Sequence, residues 1–168
     1  MLAVAEDAGN VVGLVGHSLG AAACVLAMRQ GLQVRAAVLL APLSDPEKYA
    51  GRFASICRMP APVRESMKIR LAARHGVAWE KLRLAVPAHS SAAPLLIIHD
   101  HGDAKVPLRD GRAIAASWPG SLLVTTRGLG HHKILRSAEV VGGTVSFLLR
   151  SIAIAPAARP AGPAEQIA

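Results

Sequence analysis

A chain of 168 residues fits one domain, and its 52% apolar content with only 3% aromatics means a core built from Ala, Val, Leu and Ile. No run approaches the roughly 18 uninterrupted apolar residues of a membrane span, and Glu6 and Asp7 stand where a secretory leader would be basic, so a soluble, cytoplasmic chain without a membrane partner is expected. The net charge of +8 comes without a basic helix bearing an aromatic platform, so it reads as a solvated arginine-rich surface and no nucleic-acid partner is expected.

In chain order, Val11 to Val15 is the first predicted strand, and it runs into Gly16-His17-Ser18-Leu19-Gly20. Ala21 onward continues as an Ala-rich helix to about Gln30, stopped by Gly31. A serine on so sharp a strand-to-helix turn has its hydroxyl pushed out above the sheet, and Gly16 and Gly20 are read as leaving room for the turn. The helix aims its free N–H groups at the same place, so the Leu19 N–H is a candidate oxyanion donor. A G-x-S-x-G pentapeptide alone is weak evidence; an ordinary glycine-containing turn would read the same.

Val34 to Leu40, ending at Ala41-Pro42, is a second buried strand. From Ser44 to about Ser91 basic residues outnumber acidic ones and the pattern turns helical. Asp45-Pro46 reads as a cap and first turn, and Pro62 opens a helix with Val63, Met67 and Leu71 on one stripe, ended by Gly76. The segment is too long for a plain crossover and is expected to be a small helical cap inserted between strands. Leu95 to His99 is the clearest strand. A helix follows from about Arg109 to Trp118, then a last strand within Ser121 to Thr126 and a closing helix from Ile134 to Arg150. The Ala/Pro-rich tail, residues 151–168, has too little apolar bulk to pack and is expected to be disordered. Strand and helix alternate, which implies α/β architecture with a parallel sheet of about four strands. Cys24 and Cys57 have no disulfide or metal spacing and read as small buried apolar residues; none of the other histidines shows metal-ligand spacing, so no metal is expected.

Reactive groups in such sheets gather beyond the carboxyl ends of the strands. Three loops there carry Ser18, then Asp100 and Asp103, then His131 and His132. A serine hydroxyl needs a base to take its proton, and an imidazole needs a carboxylate to fix its tautomer; these side-chain types stand in the order Ser, Asp, His. His17 reads as a packing residue.

Three motifs together, Gly16-His17-Ser18-Leu19-Gly20, His99-Asp100-His101-Gly102-Asp103-Ala104-Lys105-Val106-Pro107 and Gly128-Leu129-Gly130-His131, resemble the α/β-hydrolase family, bacterial esterase-like members with a helical cap. The likeness covers about Val11 to Leu149. It implies Ser18 as nucleophile, Asp103 as orienting acid and His131 as base, leaving Asp100 as a loop cap, with a small-molecule acyl substrate and no cofactor. The expected organisation is an α/β-hydrolase-like domain over residues 1–150, with the cap at about 44–91.

In one respect the chain departs from the family. The elbow strand is the first predicted element, so the strands that precede it in the family, and the loop that gives the second oxyanion donor, are expected to be lacking. Loss of one such donor costs on the order of 10²–10³ in turnover. The strand would also become an open apolar edge, inviting self-association. Besides a serine hydrolase, the sequence is therefore compatible with a weakly active or inactive hydrolase fragment acting as a binding module. A third reading is a basic binding protein that uses Arg64, Arg70 and Arg74 on an anionic partner.

Overall fold

The computed structural model describes residues 1–86 and 93–154. The end of the expected cap and the Ala/Pro-rich segment from 155 onward lie outside the described residues; residues 151–154 belong to the last helix. Four strands, β1 (Gly13–His17), β2 (Ala36–Leu40), β3 (Leu95–Asp100) and β4 (Leu122–Thr126), form one parallel sheet in the order β1-β2-β3-β4. Helices connect them: α2 (Leu19–Arg29) after β1, the cap helices α3 (Pro46–Ile56) and α4 (Ala61–His75) after β2, and α5 (Leu108–Ser117) after β3. A short helix α6 (Gly130–Lys133) and the long α7 (Ala138–Ile154) follow β4.

The central strands are buried on both faces, and their side chains divide with a period of two. Ala37, Leu39, Leu95 and Ile97 face one side, where Ala21, Ala22, Val25 and Met28 of α2 and Ile114 and Trp118 at α5 complete a core. Ala36, Val38, Leu40, Leu96 and Ile98 face the other, against Ile134 and the Val140 and Phe147 side chains of α7. With aromatic residues so scarce, the core is filled by small and branched side chains at close approach.

Several boundaries differ from the sequence reading. Residues 2–8 form a helix, α1 (Leu2–Ala8), so the elbow strand is not the first element; Ala5 is its one buried residue. The expected closing helix starts later, at Ala138 after a turn, and the short α6 forms before it, within what was expected to be a loop. Cys24 is buried, but Cys57 is exposed beyond the C-terminal end of α3, because that end of the cap faces solvent. The stripe of α4 does not enter the core: none of its residues is buried, and Val63 and Leu71 stay open, since the helix rests over a cleft instead of on the sheet. The expected caps do form. Asp45 accepts the Glu47 N–H at 3.2 Å, and Gly76 ends α4 in the left-handed region. Among the described residues β1 pairs only with β2, leaving Val15 half exposed, and no helix is long and apolar enough to cross a membrane.

Candidate active site

Beyond the carboxyl ends of the strands the chain gathers most of its buried polar side chains. Ser18 ends β1 and caps α2 with φ 53° and ψ −119°, a left-handed conformation rare for a residue with a side chain. Its N–H is held by the Leu40 carbonyl at 3.0 Å, and the Ala21 N–H closes on its own carbonyl at 3.1 Å. The turn is this tight because Gly16 has no side chain. A Cβ there would meet the Ala21 Cα at 2.7 Å and the Cys24 Sγ at 2.9 Å. Gly20 is different from the sequence expectation, because a Cβ there would meet nothing within 4 Å. The pentapeptide's first glycine is required sterically and its last is not. Leu19 follows as the first residue of α2, where backbone N–H groups have no intrahelical acceptor.

The acid loop after β3 folds around its own carboxylate. Asp103 Oδ1 accepts the N–H groups of Lys105 at 2.9 Å and Val106 at 2.8 Å, which leaves Oδ2 facing the loop after β4. There His131 Nδ1–H donates to Asp103 Oδ2 at 2.7 Å, and on the other side of the ring Nε2 lies 3.1 Å from Ser18 Oγ. The carboxylate thus fixes the imidazole tautomer that leaves Nε2 free to accept the serine proton. Of the paired alternatives left by the residue pattern, the structure brings Asp103 and His131, not Asp100 or His132, into this hydrogen-bonded chain with Ser18.

Asp100 does more than cap a loop. Its carboxylate, fully buried, accepts Gly102 N–H at 2.8 Å from the acid loop, and Thr126 Oγ1–H at 2.8 Å and Leu129 N–H at 3.0 Å from the base loop. Burial alone would raise its pKa, but hydrogen bonds from Leu129, Thr126, Gly102 and Gly130 outweigh it and hold the carboxyl below its usual range. Asp100 therefore stitches the loop carrying Asp103 to the loop carrying His131.

His99, also fully buried, lies beneath the same loop. Its Nε2–H donates to the Val106 carbonyl at 2.8 Å and lies 3.7 Å from Asp103 Oδ2, while Nδ1 has no hydrogen-bond partner among the described residues. Gly111 of α5 makes room for it, since a Cβ there would come within 2.6 Å of Nδ1. On the Ser18 side, His17 Nε2–H donates to the His131 carbonyl at 2.9 Å, with the two rings 4.7 Å apart. Burial lowers the His17 pKa, against the opposing pull of its bond to the His131 carbonyl. The sequence reading took His17 as packing and missed the roles of His99 and Asp100. One signal was available: two polar residues ending an unbroken apolar strand are buried by continuation of that strand, and a buried carboxylate must find donors.

A cleft of about 770 Å³ opens beside this array. Leu19, Ala22, Ala23 and Leu26 of α2 form its floor, and Tyr49 and Phe53 of α3, Met67 and Leu71 of α4, and Trp79 its cap side. The cap is tethered at its near end through Asp110 of α5, which accepts Tyr49 Oη–H at 2.6 Å and Ser44 N–H at 3.3 Å. Burial first, and then the bond to Asp110, push the Tyr49 hydroxyl well above its ordinary pKa, so it remains a donor. At the far end Arg29 donates to the carbonyls of Lys81, Arg83, Leu84 and Val86. No group of three or more His, Cys, Asp and Glu side chains arranged to hold a metal ion occurs among the described residues.

The family model for TAP-like proteins of the α/β-hydrolase type matches residues 76–154, which include the acid and base loops. No curated protein matches the chain. Among solved structures, Est1E from Butyrivibrio proteoclasticus superposes with a TM-score of 0.61 at 22% identity over 90% of this chain and 68% of its own. The putative non-heme bromoperoxidase BpoC from Mycobacterium tuberculosis gives 0.59 at 20% identity, over 83% and 67%. The α/β-hydrolase enzyme MGS-MChE2, from a lagoon-sediment metagenome, gives 0.60 at 18%, over 89% and 65%. The chain spans about two thirds of the length of the structures it matches. Its fold is that of the α/β hydrolases.

Proposed function

We propose that this α/β-hydrolase-fold chain is a serine hydrolase that cleaves a carboxylic ester or similar acyl substrate through an acyl-enzyme. One observation carries the reading: the unbroken sequence Ser18 Oγ, His131 Nε2, His131 Nδ1, Asp103 Oδ2, with contacts of 3.1 and 2.7 Å, on a serine whose backbone is held in a strained turn. Strain of this kind persists only where surrounding contacts enforce it, and here it presents a hydroxyl to a base.

The chemistry follows from the proton positions. Ser18 Oγ attacks the substrate carbonyl carbon while its proton passes to His131 Nε2. The imidazolium is balanced by Asp103, itself already fixed by the Lys105 and Val106 N–H groups. The carbonyl oxygen becomes an oxyanion, and the reading assigns the Leu19 N–H as its donor, which is supported by the position of Leu19 as the first residue of α2. Collapse of the intermediate breaks the bond to the alcohol, which leaves with the proton from His131. Water then repeats the sequence on the acyl-enzyme, giving up a proton to His131 and releasing the carboxylic acid and free Ser18.

Covalent labelling with a fluorophosphonate tests the reading. The chain is expected to be labelled, and Ser18→Ala to abolish labelling and any ester turnover. A folded chain that is not labelled, or labelling that survives Ser18→Ala, overturns the assignment.

A further inference from the structure

The cleft beneath the cap has a composition that selects what it can hold, and the inference from it rests on the serine-hydrolase reading above. It begins at Leu19, directly after Ser18, and follows one face of α2 through Ala22 and Ala23 to Leu26. Seven steps of helix at about 1.5 Å each make it about 10 Å long on that side. The polar side chains on its wall are already engaged. Tyr49 Oη–H is committed to Asp110 and the Trp79 indole N–H donates to the Lys68 carbonyl at 3.1 Å, which leaves His75 at the last turn of α4. Leu19, Phe53 and Leu71 present apolar surface that neither core covers, being 61%, 57% and 39% exposed. The volume lies within the range of small-molecule sites, roughly 300–1,000 Å³.

We infer that this cleft is the specificity subsite of the proposed hydrolase, and that it takes an extended, uncharged alkyl or aryl-alkyl arm of the ester. A charged or heavily hydroxylated arm would lose its hydration there and find no free partner on α2, α3 or the Trp79 turn. Ala22 and Ala23 are what give the floor its depth, because each carries only a methyl group where Leu19 and Leu26 on the same face carry longer side chains. On the cap side Ala72 serves the same purpose between Leu71 and His75.

Two ester series with a common chromogenic or coupled readout test this. In one the acyl chain grows from acetate to dodecanoate on a fixed alcohol; in the other the alcohol grows on a fixed acetate. Burial of each methylene is expected to raise kcat/KM about fourfold until the cleft is full. The rise should appear in one series, which identifies the half of the substrate that occupies it. Ala23→Phe and Ala72→Trp, on opposite walls, should each lower the ratio of long-chain to short-chain kcat/KM at least tenfold. Ile69→Trp, exposed and not lining the cleft, should leave that ratio as it is.

Flat length profiles in both series, with turnover still dependent on Ser18, overturn the subsite while the hydrolase reading stands. A ratio that neither filling variant moves also overturns it. Absence of Ser18-dependent labelling removes the hydrolase reading and the subsite's catalytic meaning with it. Decanoate binding to Ser18→Ala protein, followed by calorimetry, keeps the cleft testable without turnover: binding weakened by either filling variant is expected, and no binding overturns the alkyl preference.

Discussion

The loops beyond the sheet and the cap above them are built on opposite principles. In the loops, position is overdetermined by hydrogen bonds. Asp103 accepts two backbone N–H groups as well as the His131 ring, Asp100 joins the two loops through Gly102, Thr126 and Leu129, and His99 and His17 fasten the carbonyls of Val106 and His131. In the cap, α4 buries no residue and α3 only Pro46 and Ala54, and attachment combines Leu84, seated in the core, with a few polar ties, chiefly Tyr49 and Ser44 to Asp110 and Arg29 to the carbonyls after Trp79. Directional bonds fix atoms to tenths of an ångström, as proton transfer requires; apolar contact over a cleft fixes only a shape. One part of the molecule holds a geometry through directional bonds, and the other encloses a cleft.

The largest effect should come from cutting the bonded chain itself. Asp103→Asn keeps the shape but allows the wrong His131 tautomer, and a loss of about 10⁴ in kcat is expected, measured on any ester the chain turns over. A drop of less than tenfold would mean that the carboxylate does not orient the base.

Asp100→Asn tests whether loop stitching matters to turnover as well as to folding. An amide must turn an NH₂ toward at least one of the donors that now face a carboxylate, and a fall of roughly 10–10² in kcat with little change in KM is expected, because the two loops lose register. The same variant gives a pH signature. Since Asp100 is held below its usual range in the folded chain, its charge contributes stability that is present above the unfolded carboxyl pKa of about 3.9 and is lost as pH falls through the folded value. The melting-temperature gap between wild type and Asp100→Asn should therefore be widest near neutrality and narrow below pH 4. A gap constant from pH 7 to 3 would deny the charged role.

Two glycines of the elbow separate steric need from motif membership. Gly16→Ala drives a methyl group into the backbone of Ala21 and is expected to cost about 1–3 kcal/mol in denaturant melts. Gly20→Ala, facing open space within α2, should instead be neutral or stabilise by about 0.5–1 kcal/mol. Equal costs at the two positions would contradict the geometry.

A comparably modest effect, confined to the cap, belongs to its tether. Tyr49→Phe keeps the ring against the cleft but removes a donor from the buried Asp110 carboxylate, at about 1–2 kcal/mol. Hydrogen exchange should quicken in α3 before it does in β2 or β3. Uniform quickening across the sheet would mean that the cap is not the separable part.

The alternation of apolar runs with helical segments was enough to place all four strands and a parallel sheet, because burial on both faces leaves a mark that side-chain chemistry alone records. Ser18, Asp103 and His131 were legible for a different reason: the sharp elbow and the two loops need particular glycines and prolines around them, and those stand in the chain as motifs. Preference for Asp103 over Asp100 and for His131 over His132, by contrast, rested on resemblance, and the hydrogen-bonded geometry decides which pair meets Ser18.

What the sequence by itself determined is local: hydrophobic period, turn chemistry, caps such as Asp45 and Gly76, and the kinds of side chain available at the strand ends. Tertiary structure alone decided that Asp100 reaches Thr126 and Leu129, 26 and 29 residues away, that His17 reaches a carbonyl 114 residues away, and that the apolar stripe of α4 roofs a cleft instead of filling a core. Those outcomes depend on which elements come to lie side by side. That depends on the packing of the whole sheet and its helices, and no short window of residues contains it.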